Sequence, residues 1–193
     1  MKKIFWLCLL LLPACARAES EDPCGDLAET AIGAALEDPT DTYNLAVEFY
    51  TGKCVEKNYE KAAKLWERAA ASGLTSAKNN LGYLLSEGLG VKKDEARAAA
   101  LWREAAVAGH AESQVHLGKA LFHGYGVPKD QTRGLAWVLH AVQSAADNPD
   151  VGGGPAVLEL ARDEQGEMLK TAPELLESAK LLVGQLGVAR HER

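Results

Sequence analysis

The chain has no block of lysine and arginine. Its 193 residues hold 21 Lys and Arg against 27 Asp and Glu, a formal net charge of −6, and the basic residues are scattered. Without a concentrated positive patch it is a poor match for nucleic acid or for anionic lipid, whose binding rests on neutralised phosphates. It also lacks a membrane-spanning segment. The longest apolar run, Ile4 to Leu12, is nine residues, and a bilayer-crossing helix needs roughly 20. Recognisable catalytic chemistry is missing as well. No local motif suggests a Ser-His-Asp or Cys-His set, and no glycine loop after a strand offers a phosphate cradle. His116 and His123, at i and i+7, share one side of a helix. A zinc site needs three or four ligands, however, and no further His or Cys stands at a suitable spacing. His110 falls at a helix start and His140 takes the place of a packing alanine, so these histidines read as surface or packed residues. The acidic pairs Glu21-Asp22 and Asp163-Glu164 read as solvated charge. No catalytic residue, metal site or cofactor is expected.

The short apolar run has its own meaning. Met1-Lys2-Lys3 precedes it and Pro13-Ala14-Cys15-Ala16-Arg17-Ala18 follows, so residues 1–18 read as a secretory signal. Two cleavage points compete. Ala16-Arg17-Ala18 favours a cut before Glu19, giving a periplasmic or secreted protein. Leu12-Pro13-Ala14-Cys15 resembles a bacterial lipobox, which would leave a lipid anchor on Cys15 and hold the chain at the outer membrane. A cut before Glu19 removes Lys2, Lys3 and Arg17, leaving 18 basic residues against 27 acidic ones. It also leaves Cys24 and Cys54 as the remaining cysteines. Two cysteines in an oxidising compartment pair most often, with two free buried thiols as the alternative. Such a bond would contribute about 3–4 kcal/mol in the chain-entropy picture.

From residue 42 onward the sequence repeats itself. Leu45, Leu81 and Leu117 are 36 apart, as are Gly52, Gly88 and Gly124, and Val55, Val91 and Val127. Trp66 and Trp102 keep that interval, while Trp137 follows after 35, the missing residue lying between Asp130 and Trp137. A fixed period of this length marks stacked supersecondary units. The units fall at 42–73, 74–109 and 110–146. Each reads as two helices, the first over 42–51, 76–87 and 112–123, the second over 59–72, 95–108 and 131–146. Core pairs stand at i and i+4: Leu45 with Phe49, Leu81 with Leu85, Leu117 with Leu121. Asn58, Asp94 and Asp130 sit at N-cap positions. Gly82 and Gly118, with the alanine runs after the tryptophans, allow close helix approach. Residues 19–41 supply a capping region with a helix over 25–37, 147–155 a flexible linker, and 156–193 two capping helices and a frayed tail. Thr171 and Glu174 have capping-box spacing for the last helix.

Leu81-Gly82, Gly88-Leu89-Gly90-Val91, Lys93-Asp94, Leu101-Trp102, Ala105-Ala106 and Gly109 together resemble the Sel1-like repeat, a relative of the tetratricopeptide repeat. The third unit matches through Leu117-Gly118, Gly124-Tyr125-Gly126-Val127, Lys129-Asp130 and Trp137. The first departs more: Ala46 replaces the glycine after Leu45, Cys54 the second turn glycine, and Asn58 the aspartate. The resemblance implies an all-α, right-handed solenoid with a concave face, and an adaptor or scaffold role with a protein partner, often in bacterial envelopes. Within that resemblance, Cys54 in its turn would staple the leading helix to the first repeat through Cys24. This arrangement is loosely similar to that of flagellar motor proteins of the MotX type, which implies a structural part in a motility or secretion machine as the alternative role. Sel1-type proteins linked to β-lactam binding carry a cysteine pair in most repeats, and this chain does not.

The core pairs fix one side of each first helix, and residues about 200° round the helix face the hollow. In register these are Tyr43, Asn79 and Val115; Val47, Tyr83 and Lys119; Tyr50, Ser86 and Phe122. Aromatic anchors dominate interfaces that grip peptides or helices, so this stripe is the expected partner-binding surface, with Asn79 and Tyr83 at its centre. The alternative is that the stripe packs between adjacent first helices.

Overall fold

The computed structural model describes Cys24, residues 27–147 and residues 152–188. The signal-peptide, lipobox and frayed-tail readings fall on residues outside these. Each described helix begins and ends where local chemistry allows. The second helices of the three units, α3 (Tyr59–Ala71), α5 (Glu95–Val107) and α7 (Gln131–Asp147), start at Asn58, Asp94 and Asp130. Each of those side chains accepts a 2.9 Å hydrogen bond from the backbone N–H three residues on. The first helices, α2 (Pro39–Thr51), α4 (Thr75–Glu87) and α6 (Ala111–His123), end at Gly52, Gly88 and Gly124, whose amides donate back to Glu48, Leu84 and Ala120. In all three units the amide of the N-cap residue donates to a carbonyl near the end of the preceding helix: Asn58 to Phe49, Asp94 to Leu85 and Asp130 to Leu121, each at 2.8 Å. The turn is one object built three times.

The helices pack as antiparallel pairs, α2 with α3, α4 with α5 and α6 with α7, each pair stacked on the next. This is an α-solenoid. No strand occurs among the described residues. Trp66, Trp102 and Trp137 are buried together with the alanines around them and with Leu81, Leu84, Leu85, Leu117 and Leu121. Leu45 and Phe49, in the unit that only α1 (Leu27–Ala35) precedes among the described residues, are only half-buried. Small residues hold the spacing. A methyl group on Gly82 would stand 2.6 Å from Trp102 Nε1, and one on Gly118 would stand 2.6 Å from Val138 Cγ2. Trp102 Nε1 donates to the Asn79 carbonyl at 3.2 Å. In the first unit Ala46 fills the place of Gly82, and Trp66 Nε1 is buried with no hydrogen-bond partner.

Gly90 and Gly126 tie one repeat to the one before. A methyl on Gly90 would lie 2.4 Å from the backbone of Tyr59 and Glu60, and one on Gly126 would lie 2.2 Å from the backbone of Glu95. The turn of each unit therefore rests against the start of the preceding unit's second helix. The first unit has no predecessor, and there Cys54 carries a side chain, bonded to Cys24 with the two Cα atoms 5.4 Å apart. This joins the lead of α1 to the first turn. Arg68 Nη2 donates to the Ala34 carbonyl at 3.1 Å and ties the other end of α1 to α3.

At the far end α8 (Pro155–Thr171), a 3₁₀ turn (Pro173–Leu175) and α9 (Leu176–Val188) cover α7. Met168, Ala172 and Ala179 close over Phe122, Leu135 and Val138. Three details differ from the sequence reading. The helix of the first unit begins at Pro39, because Asp38 caps it through Thr40 and Asp41. Thr171 does not open a capping box: it ends α8, its hydroxyl donating to the Glu167 carbonyl at 3.1 Å. The described part of the connection after α7 is anchored, since the Glu112 amide donates to the Gly152 carbonyl and the Gly154 amide to the Ala145 carbonyl.

Candidate functional site

The inner side of α2, α4 and α6 holds two adjoining clefts. The first, about 410 Å³, lies among Tyr43, Val47 and Tyr50 of α2, Asn79 and Tyr83 of α4, and Glu112 and His116 of α6, with Trp66 also on its wall. The second, about 450 Å³, runs on through Tyr83, Ser86, Trp102, His116, Lys119 and Tyr125. Tyr83 and His116 belong to both, so the two form one groove, with Tyr83 at 37% exposure between them.

Seven of the nine residues expected on the stripe line this groove: Tyr43, Val47, Tyr50, Asn79, Tyr83, Ser86 and Lys119. Val115 and Phe122 do not. Val115 is 1% exposed against Ala141 and Ala161, and Phe122 is 2% exposed against Leu135 and Met168. The reason is α8, which packs on the side of α6 that the stripe would have used. The lining of α6 moves instead to the row Glu112, His116, Lys119, three residues earlier and about 60° round the helix. Equal register in all three first helices points to Val115, Lys119 and Phe122 and passes over Glu112 and His116. Their i, i+4 spacing was the available signal. Asn79 lies on the floor of the groove with its amide group engaged, donating to Glu112 Oε2 at 2.9 Å and accepting from Ser113 Oγ at 2.8 Å.

Aromatic rings crowd the first cleft. Tyr43 and Tyr50 lie 6.3 and 5.4 Å from Trp66, centroid to centroid. Asn80 Nδ2 donates to the Tyr43 hydroxyl at 3.3 Å. Burial, then the neighbouring phenols of Tyr83 and Tyr59, push the Tyr50 hydroxyl above its ordinary value. His116 stacks on Trp102 at 4.9 Å. Its imidazole, 3.8 Å from Glu112, holds the Glu112 carboxyl below the usual range despite burial, helped by His110 and Asn79. Among the described residues, no three His, Cys, Asp or Glu side chains are grouped to hold a metal.

Behind the groove the network continues to His110. This residue caps α6, its Nδ1 accepting from the Ser113 amide at 3.3 Å and lying 3.1 Å from Ser113 Oγ. Gly152 rests on the His110 ring, where a methyl would stand 2.3 Å from Nε2. Burial pushes His110 below its ordinary 6.5, opposed by Glu112 and reinforced by His116. The folded chain therefore favours the neutral ring. The stability this contributes is complete above about pH 6.5 and is lost as pH falls toward the depressed folded value. The Glu112 carboxyl, also depressed, adds a second loss, which begins lower, near its ordinary 4.5. The melting temperature should fall between pH 7 and 5, and His110→Asn, which keeps a capping acceptor, should flatten that stretch of the profile. An unchanged profile in the variant would remove His110 as its cause.

Three stretches, 42–74, 75–110 and 111–140, match the family model of the Sel1 repeat. The structure is similar to the crystal structure of a protective antigen of uropathogenic Escherichia coli strains that displays an SLR fold (TM-score 0.69, 31% identity), over 83% of this chain and 32% of that one. This chain thus spans about a third of that antigen. It is also similar to a Sel1 repeat protein from Oxalobacter formigenes (TM-score 0.57, 27% identity), over 74% of this chain and 98% of that one. No curated protein matches the sequence. The matched stretches cover about half of the residues and coincide with three copies of one helix-turn-helix unit, so the chain belongs to the Sel1 repeat family.

Proposed function

We propose that this protein is an exported scaffold of the bacterial envelope that holds a segment of a partner protein in the groove of α2, α4 and α6. One observation carries the reading: the groove is open and continuous over three repeats, with its aromatic residues gathered around the half-exposed Tyr83. Large aromatic rings contribute contact area at low entropic cost, which is what the centre of an interface requires. Sel1-repeat proteins mediate protein–protein interactions, and the fold is that of a scaffold. Export is supported by the signal-like residues 1–18 and by the disulfide, a bond that persists in oxidising compartments.

Tyr43, Val47, Tyr50, Ser86 and Lys119 make the walls on either side of Tyr83, and Asn79 and Glu112 order the floor. Crosslinking and pull-down from envelope fractions should recover a partner with the native chain and not with Tyr83→Ala. The same variant should melt within a few degrees of the native chain, because the ring lies on the groove wall and not in the core. Equal recovery by both chains would place the partner elsewhere. A large drop in melting temperature would make Tyr83 a core residue.

A further inference from the structure

Glu112 is the charged side chain of the first cleft. Lys93 pairs with Glu95 at 2.8 Å and Lys119 with Glu164 at 3.1 Å, so both lysines of the second cleft already have a carboxylate, while its other acid, Glu87, is exposed. The first cleft has no lysine or arginine on its walls. Its carboxylate, Glu112, is met by the neutral amide of Asn79 and, at a long 3.8 Å, by His116. Around that carboxylate stand Tyr43, Tyr50, Tyr83 and Trp66, whose rings attract cations through their negative faces. A pocket of aromatic rings with one carboxylate that meets no lysine or arginine, only a distant imidazole, complements a cation on an apolar stem.

On the groove reading given above, we infer that the first cleft takes one lysine or arginine side chain from the bound segment of the partner, its stem among Tyr50 and Tyr83 and its charge on Glu112. After burial and the phenols of Tyr83 and Tyr59, the Glu112 charge also opposes ionisation of the Tyr50 phenol, and a carboxylate near that ring attracts a cation. A free alkylammonium would meet the same groups but would leave the second cleft unused. A peptide reaches both.

The test is selection of displayed random peptides on the full chain, with Tyr83→Ala as background. Peptides enriched on the native chain should share one basic position. A synthetic peptide of that sequence should bind at least about tenfold more tightly than its copy acetylated at that lysine, since a charge-assisted contact is lost. Glu112→Gln, which can still accept from Asn79, should erase that difference, and Tyr83→Phe should keep it. Enriched peptides without a shared basic residue, or a lysine preference that survives in Glu112→Gln, would overturn the assignment while leaving the groove reading intact. No enrichment over Tyr83→Ala would overturn both.

Discussion

Gly126→Ala should destabilise the chain by about 2–6 kcal/mol, a large share of the total stability of a small domain. Two costs add. Gly126 has φ +64, a left-handed conformation that costs an ordinary residue about 1–3 kcal/mol. Its new methyl would stand 2.2 Å from the backbone of Glu95, and overpacking adds about 1–3 kcal/mol more. The obstructing atoms are backbone at the start of α5 and cannot swing aside as a side chain would. Gly73 provides the control. It too has a positive φ, +94, but nothing lies within 4 Å of a methyl placed there. Gly73→Ala should therefore cost only the conformational part, about 1–3 kcal/mol. Urea unfolding of the two variants measures the difference. Equal losses would mean that the turn of the third unit does not bear on the second.

That contact explains why so much of the fold was legible in the sequence. The period of 36 is visible because each unit must meet the same neighbour in the same way. Gly90 and Gly126 are glycines for one shared reason, and Asn58, Asp94 and Asp130 cap one shared geometry. The groove was readable wherever that sameness holds, through Tyr43, Tyr50, Tyr83 and their neighbours. It became unreadable where the sameness ends. Val115 and Phe122 occupy the register of groove residues, but α8 packs over them, and nothing in the period announces which side of α6 it will take. Glu112 and His116 became groove residues by the same displacement. Thr171 misled for a local reason: its spacing to Glu174 is right, but the helix it was to open is preceded by a 3₁₀ turn, and its hydroxyl serves the end of α8.

The disulfide follows from the same logic at the other end, and its removal should have the second large effect. Cys54 stands where later units carry glycine, and it does not share their left-handed backbone. The first unit has no earlier second helix pressing on that turn, so a side chain is admissible there. The bond to Cys24 closes a segment of 30 residues that contains α1 and α2. In the chain-entropy picture such a loop contributes about 3–4 kcal/mol. Repeat proteins are stabilised mainly between neighbours, so an unprotected end would fray first. With the bond intact, α1 is held at its lead by Cys54 and at its close by Arg68, and fraying requires both ties to open. Cys24→Ser and Cys54→Ser should each lower stability by up to that amount, to the value reached by the reduced native chain. The double variant should lose no more than either single one, because one bond is removed in all three cases. Denaturant titrations with and without reductant, together with hydrogen exchange across α1, separate the outcomes. A native chain indifferent to reductant, or single-variant losses that add, would refute the view that this bond closes the open end of the stack.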